Sequence, residues 1–291
     1  MATRETRRLS LLLAPMIIIM GAVIGWPLIQ TFVLSLTDSD LMNLSKPAFV
    51  GLSNFTRAMR NQGYLDSLKV SALFALVVVL SEMVLGTSVA LLLNEPFKGR
   101  AFVRGLLILP WAVPTTVNAM MWRLIYNPEY GALNSLLFQL GIIDQYVSWI
   151  GTADKALYSV MFADIWKNFS LVSMIALAAL QTLPESQIEA ATIDGANGWQ
   201  RFRFITLPHL IPSLQVALVL RIIETVKVFD IIYVMTRGGP ANKTRSASIF
   251  VYQEAFTNSR MGSGAAYAII MVCVIMILIA FYLKGISKKE S

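Results

Sequence analysis

Apolar runs of about 20 residues or more recur six times along this chain, and they decide its solvent. A helical run of that length crosses the ~30 Å hydrocarbon layer of a bilayer. The runs lie at Leu9–Leu36, Ser67–Leu93, Phe102–Tyr126, Leu157–Leu180, Leu210–Met235 and Ala265–Leu283. The 291 residues are 56% hydrophobic and only 14% charged, against about 25% charged in soluble domains. With a mean hydropathy of +0.63, this surface calls for lipid as its solvent. The expected fold is all-α and integral to the membrane, one domain over 1–291 with six transmembrane helices.

Basic residues set the expected orientation. Arg4, Arg7 and Arg8 precede the first run; Lys98, Arg100 and Arg104 follow the second; Arg201 and Arg203 follow the fourth; Lys284, Lys288 and Lys289 follow the sixth. Positive charge is retained on the cytoplasmic side, so both termini are expected there. The third loop agrees, with Glu129, Asp144 and Asp154 against Lys155 outside. The last outer loop opposes it, because Arg237, Lys243, Arg245 and Arg260 outweigh Glu254. The net charge of +7 is read as topology and not as a nucleic-acid surface. The first run is too long for a signal-peptide core, so an uncleaved first helix is expected. Cys273 is the sole cysteine and lies in an apolar run, where packing is its expected role.

The longest expected cytoplasmic loop, residues 181–209, has its own structure. Pro184 ends one helix and suits the start of another, and Glu185 and Glu189 fall early in it, where negative charge suits the helix dipole. Gly195 permits a sharp turn. Phe202, Phe204 and Ile205 open a second segment that re-enters the membrane at Pro208. Spacing alone leaves open whether this helix-turn-helix is an interfacial linker or a docking element.

Polar groups inside a span are costly, and each is a functional hypothesis. Span five places Arg221, Glu224, Lys227 and Asp230 at intervals of three, with alternating sign. Such a row forms an ion-pair ladder or lines a solute cavity. Span four adds Asp164, Trp166, Lys167 and Asn168; an indole can stack on a sugar face while amide and charged groups bind hydroxyls. Lys167 and Arg221 either favour an acidic solute or pair with Asp164 and Glu224. Glu82 in span two is read as a buried pairing partner and not a proton-coupling site. His209 is the sole histidine, which leaves no metal site or catalytic triad to build, and no nucleophile–base pair suggests an enzyme. Pro110 and Pro114, one turn apart in span three, predict a kink or unwound stretch facing a channel.

Glu189-Ala190-Ala191, then Asp194-Gly195-Ala196, Gln200, Phe202 and Ile205-Thr206-Leu207-Pro208 resemble the EAA signature of ATP-binding-cassette importer permeases. Gly51–Phe55, Leu109–Pro114 and Phe229–Pro240 are similar to motifs of the carbohydrate-uptake group, on the side of the maltose-type permeases. The resemblance covers about residues 9 to 284. It implies an importer-permease fold in a bacterial cytoplasmic membrane and a complex. A second homologous permease would complete the channel, two cassette ATPase subunits would clamp below, and an extracytoplasmic binding protein would deliver a sugar-like solute. No cofactor is expected in this chain, since the ATPases would hydrolyse ATP. Gly238–Thr244 imitates a phosphate loop, but Asn242 stands where glycine must precede the lysine. Glu189, Ala190, Ala191, Asp194, Gly195 and Ala196 would couple to the ATPase. Glu189 would pair with a basic residue there, Asp194 would accept backbone hydrogen bonds, and Gly195 would allow close packing. An ungapped alignment carries the solute contacts to Lys167, Asn168 and Leu171, and to Arg221, Glu224, Thr225 and Val228; Trp166 joins them. Most of these differ from the maltose-type residues, so position transfers and specificity does not. Glycerol phosphate, a polyol or an acidic sugar remain alternatives within the family. An ion-coupled secondary transporter is the alternative outside it, and needs no EAA-like helix.

Overall fold

The computed structural model describes residues 4–43 and 47–287, with side chains between 12 and 280. The side chains of Arg4, Arg7, Arg8 and Lys284, together with all of Lys288 and Lys289, lie outside what is described. Among the described residues the structure is helical, with a single isolated β-bridge between Thr37 and Phe49. In chain order the helices are α1 (Arg4–Met20), α2 (Trp26–Ser35), α3 (Ser53–Arg60), α4 (Gln62–Asn94), α5 (Arg100–Ala112), α6 (Thr115–Ile125), α7 (Ala132–Gln139) and α8 (Ala156–Leu180). They continue as α9 (Glu185–Ile193), α10 (Gly198–Arg201), α11 (Leu207–Val226), α12 (Asp230–Met235), α13 (Ala247–Tyr252) and α14 (Met261–Ser287).

Five stretches are long and apolar enough to cross a membrane, at 12–35, 62–94, 156–180, 198–226 and 261–280. They match five of the six expected spans. A π-helical turn at Gly21–Gly25 joins α1 to α2, so the first span is a single helical path. The expected span at 102–126 is divided. Pro114 has no N–H to donate and drives the residue before it out of the helical region. Val113 is accordingly extended (φ −70°, ψ 128°), α5 ends at Ala112 and α6 restarts at Thr115. The break falls at Pro114, while Pro110 stays inside α5.

The expected span 210–235 is also divided, which corrects the ladder reading. Helix α11 ends at Val226, and Lys227 and Phe229 leave helical geometry before α12 begins. The interval of three from Arg221 to Asp230 therefore does not lie along one helix. The opened backbone is held by Val228 N donating to Thr225 O (3.2 Å) and by the Ser246 hydroxyl donating to Val228 O (2.8 Å).

Two compact units make up the chain: residues 1–65 with 250–291, and residues 66–249. In the first, α14 packs on α2 and α3. Asn54, from the Gly51–Phe55 motif, donates to Ser35 O (2.9 Å) and Thr37 O (2.8 Å). It thereby satisfies carbonyls that the end of α2 leaves unpaired. Tyr64 donates to Tyr267 O (2.9 Å) and its ring meets Phe250 and Tyr267.

In the second unit, α8 is the central rod and packs on α5, α6, α11 and α12. Its core joins Phe74, Val78, Trp122, Met161, Ile231 and Ile232. Gly86 of α4 allows α8 to approach closely, since a β-carbon there would lie 2.7 Å from Val172 Cβ. A second cluster, Ala90, Leu93, Ala176, Leu180 and Leu210, closes the end nearer the 181–209 loop. The phosphate-loop look-alike is a packed turn in which buried Thr244 donates to Gly239 O (2.7 Å) and meets Thr236 Oγ1.

Candidate functional site: a charged cavity and an unburied helix

Arg221, 2% exposed on α11, is the hub of the second unit. Its Nε and Nη2 donate to Glu82 on α4 at 2.6 and 2.8 Å. Nη2 also donates to Asp164 on α8 at 3.0 Å, and Nη1 to Glu224 one turn along its own helix. Three helices are thus tied at one guanidinium, whose planar fork suits several carboxylates at once. Glu82, fully buried, is a pairing partner, as its isolation in span two suggests.

Beside this hub opens a cavity of about 300 Å³. Of the eight expected contacts it gathers six: Lys167, Asn168, Arg221, Glu224, Thr225 and Val228. Trp166 is elsewhere. One residue from Lys167 along the helix, it turns away and meets Trp122 edge-on (5.7 Å, 74°) at the margin of the core. Leu171 is also outside the lining; it is one turn along from Lys167 and is only half-buried. The Thr225 hydroxyl donates back to Arg221 O (2.7 Å), leaving its lone pairs to the cavity.

The expected pairing of both cations with Asp164 and Glu224 holds for Arg221 alone. Among the described residues Lys167 forms no ion pair, although it is buried and lines the cavity. Sequence reasoning missed Trp111, Thr115, Phe229 and Ile231 as lining residues, and set Asp164, Lys227 and Asp230 apart from the contacts. Trp111 and Thr115 flank the Pro114 break, and Phe229 and Asp230 flank the Lys227–Phe229 break. Each interrupted span thus turns its broken segment into the cavity, and proline was the one legible signal.

The 181–209 loop contains α9, a helix with no buried residue. Its end is a Schellman turn. Ala196 N donates to Ala191 O (2.9 Å), Gly195 N to Thr192 O (3.1 Å), and Gly195 sits at φ +82°. No atom would meet a β-carbon at Gly195 within 4 Å, so within this chain the glycine answers a backbone demand and not close packing. Asp194 does not accept the expected backbone hydrogen bonds among the described residues. That role falls to Asn197, which caps α10 in a reciprocal box with Gln200 (2.9 and 2.8 Å). Asp194 terminates α9 as its last capping residue, and its backbone N–H donates to Ala190 O (3.0 Å). Arg201 donates to Thr192 Oγ1 (2.6 Å) and staples α10 to α9. Glu189 and Ala190 are exposed, Ala191 and Ala196 half-buried. Glu189 has no ion pair among the described residues and borders a groove of about 730 Å³ with Arg100, Arg104 and Ile188. Both arginines are engaged with the end of α4, Arg100 on Asn94 O (3.1 Å) and Arg104 on Leu93 O (2.9 Å).

Comparison with known proteins places this architecture. The family profile described as binding-protein-dependent transport system inner membrane component matches residues 82–288. The trehalose/maltose transport system permease protein MalF of Thermococcus litoralis is 39% identical over 281 residues, covering 97% of this chain and 94% of that one. The sn-glycerol-3-phosphate transport system permease protein UgpA of Agrobacterium fabrum is 35% identical over 282 residues, covering 96% and 94%. A chain in the crystal structure of a bacterial alginate ABC transporter, in complex with an alginate pentasaccharide-bound periplasmic protein, superposes with a TM-score of 0.83. The superposition covers 96% of this chain and 93% of that one, and at 21% identity it speaks for the fold. The chain belongs to the family of inner membrane components of binding-protein-dependent transport systems.

Proposed function

We propose that this chain is one of two permease subunits of an ATP-driven importer and forms half of the path for a sugar-like solute. The carrying observation is the joining of cavity and α9 through α8 and α11. Both helices line the cavity, and both run directly into the loop that holds α9. A helix in which no residue is fully buried is free to enter a groove on another subunit. Closure of two ATPase subunits would then move α9, and α9 would move the two helices that line the cavity. Membership of a family described as binding-protein-dependent supports solute delivery by an extracytoplasmic binding protein, and the fold shared with an ABC transporter chain supports a cassette ATPase below.

In this reading α5 and α6 together make the sixth crossing, both termini are cytoplasmic, and the protein resides in a bacterial cytoplasmic membrane. Cysteines introduced at positions 144 and 290 test the topology: an impermeant thiol reagent applied to intact cells should label the first and spare the second. Function is tested in proteoliposomes holding both permeases and the ATPases, with the binding protein outside. Uptake should require ATP and binding protein. Asn168→Ala and Thr225→Ala should each lower it about tenfold, the loss of roughly 1.4 kcal/mol of interaction, with assembly intact. Unaltered uptake from both variants would place the solute elsewhere.

A further inference from the structure

Helix α3, between the first and second spans, carries two exposed arginines that neither the cavity nor α9 uses. We propose that α3 is an interfacial helix that binds an anionic phospholipid. Arg57 and Arg60 hold the headgroup phosphate, and a flank formed by Leu52, Phe55 and Met59 rests at the acyl boundary.

The stretches 12–35 and 62–94 are each long and apolar enough to cross the membrane, so the segment that joins them lies at one membrane face. Asn54 fastens α3 to the end of α2 through Ser35 O and Thr37 O, and α14 packs against it. The residues that α3 buries are Asn54 and Ala58. At about 100° per residue, the other positions fall on two flanks of that buried edge. Leu52, Phe55 and Met59 lie on one flank; Ser53, Arg57 and Arg60 lie on the other. Leu52 and Met59 are 66% and 63% exposed, and Phe49 in the preceding turn is 76% exposed. A helix with one edge on protein, one flank apolar and one flank basic suits the plane of a bilayer surface.

The basic flank fits an anion. A shallow recess of about 400 Å³ is lined by Ser53, Thr56, Arg57, Arg60 and Asn61, with no carboxylate in the lining. Arg57 and Arg60 are one turn apart and form no ion pair among the described residues. Arg260 of the same unit differs, with Glu254 at 3.6 Å. Asn61 is fixed in place, since its amide donates to the Tyr267 hydroxyl (3.0 Å) and its Oδ1 accepts from Tyr64 N (3.1 Å). Two guanidinium forks at this spacing can share the oxygens of one phosphate diester. An acidic protein surface would also meet the arginines, but it gives no role to the exposed apolar flank beside them. A phospholipid meets both chemistries at once, and the spans on either side of α3 bring it there.

The test uses the full-length chain in phosphatidylcholine nanodiscs that contain a trace of diazirine-bearing lipid, either phosphatidylglycerol or phosphatidylcholine. After irradiation, adducts are mapped to residues 47–61. Labelling there should favour phosphatidylglycerol by about 30-fold, the scale expected for two arginines at a membrane surface. The double variant Arg57→Gln with Arg60→Gln should bring the ratio close to one, and Arg57→Lys with Arg60→Lys should keep it at about tenfold or more. Met59→Glu should lower labelling by both lipids. All these variants should melt as the parent chain does, because the altered side chains are exposed. Equal labelling by the two headgroups would overturn the proposal, as would a preference that the double glutamine variant leaves intact. Displacement of the lipid by millimolar inorganic phosphate would overturn it in favour of a free-anion site. A double glutamine variant that loses binding-protein association in the complete importer, with lipid labelling unchanged, would overturn it in favour of a protein contact.

Discussion

The Arg221 hub and helix α9 are opposite solutions to the placement of charge. At the hub, Arg221, Glu82 and Asp164, from three helices, are nearly or wholly removed from solvent, while the Glu224 side chain that joins them is 55% exposed. Along α9 no residue is fully buried and Glu189 is left without an ion pair among the described residues. Buried ions are held by mutual satisfaction, so losing one member strands the rest. An exposed helix contributes little to the stability of its own chain. Substitutions at the hub should therefore be read in folding, and substitutions on α9 in function.

Five variants sharpen that contrast. Arg221→Met should have the largest effect, because Glu82 and Asp164 would lose their counter-ion inside the bundle. The expected cost is about 3–5 kcal/mol, read as loss of thermal stability in detergent. The double variant Glu82→Gln with Arg221→Met should recover part of it, and a double variant no more stable than the single one would show that the two groups do not act as a pair. Asn54→Ala should be intermediate, at about 1–3 kcal/mol, since it strands the carbonyls of Ser35 and Thr37 at the end of α2. Gly195→Val should be smallest in the isolated chain, about 1–2 kcal/mol for a β-branched residue at positive φ, yet should abolish uptake by misdirecting the end of α9. Gly195→Asn separates two causes. Asparagine tolerates this backbone conformation, so retained transport would assign the glycine to the turn, and lost transport to close packing against the ATPase.

Much of this architecture was legible in the chain. Apolar length located five spans, Pro114 marked the break in the other, and the cost of a buried carboxylate marked Glu82 as a partner. Gly195 announced its turn. The break at Lys227–Phe229 was not legible, because Val226-Lys227-Val228-Phe229 contains neither proline nor glycine. It is stabilised from a distance by Ser246, eighteen residues on. Without that break the charges of span five looked like one continuous ladder. The hub itself depends on Glu82, 139 residues from Arg221, and no local pattern pairs them. Trp111 was hidden for a similar reason: helical periodicity cannot say which face of an interrupted span opens onto a cavity. Trp166 was misplaced because an indole in a polar segment looks like a sugar platform until the packing of Trp122 is known.

The central claim is that energy enters this chain at α9, and its most direct test is the identity of what touches that helix. Ile193, at the end of α9 and 87% exposed, can be replaced by a photo-reactive amino acid in cells that express the complete importer. Irradiation of their membranes should yield a covalent adduct with the cassette ATPase. A control at Met276 of α14, an apolar residue 65% exposed on a membrane-spanning helix, should yield none. Adducts to lipid alone at position 193, in membranes where the ATPase is bound and transport is active, would contradict the account.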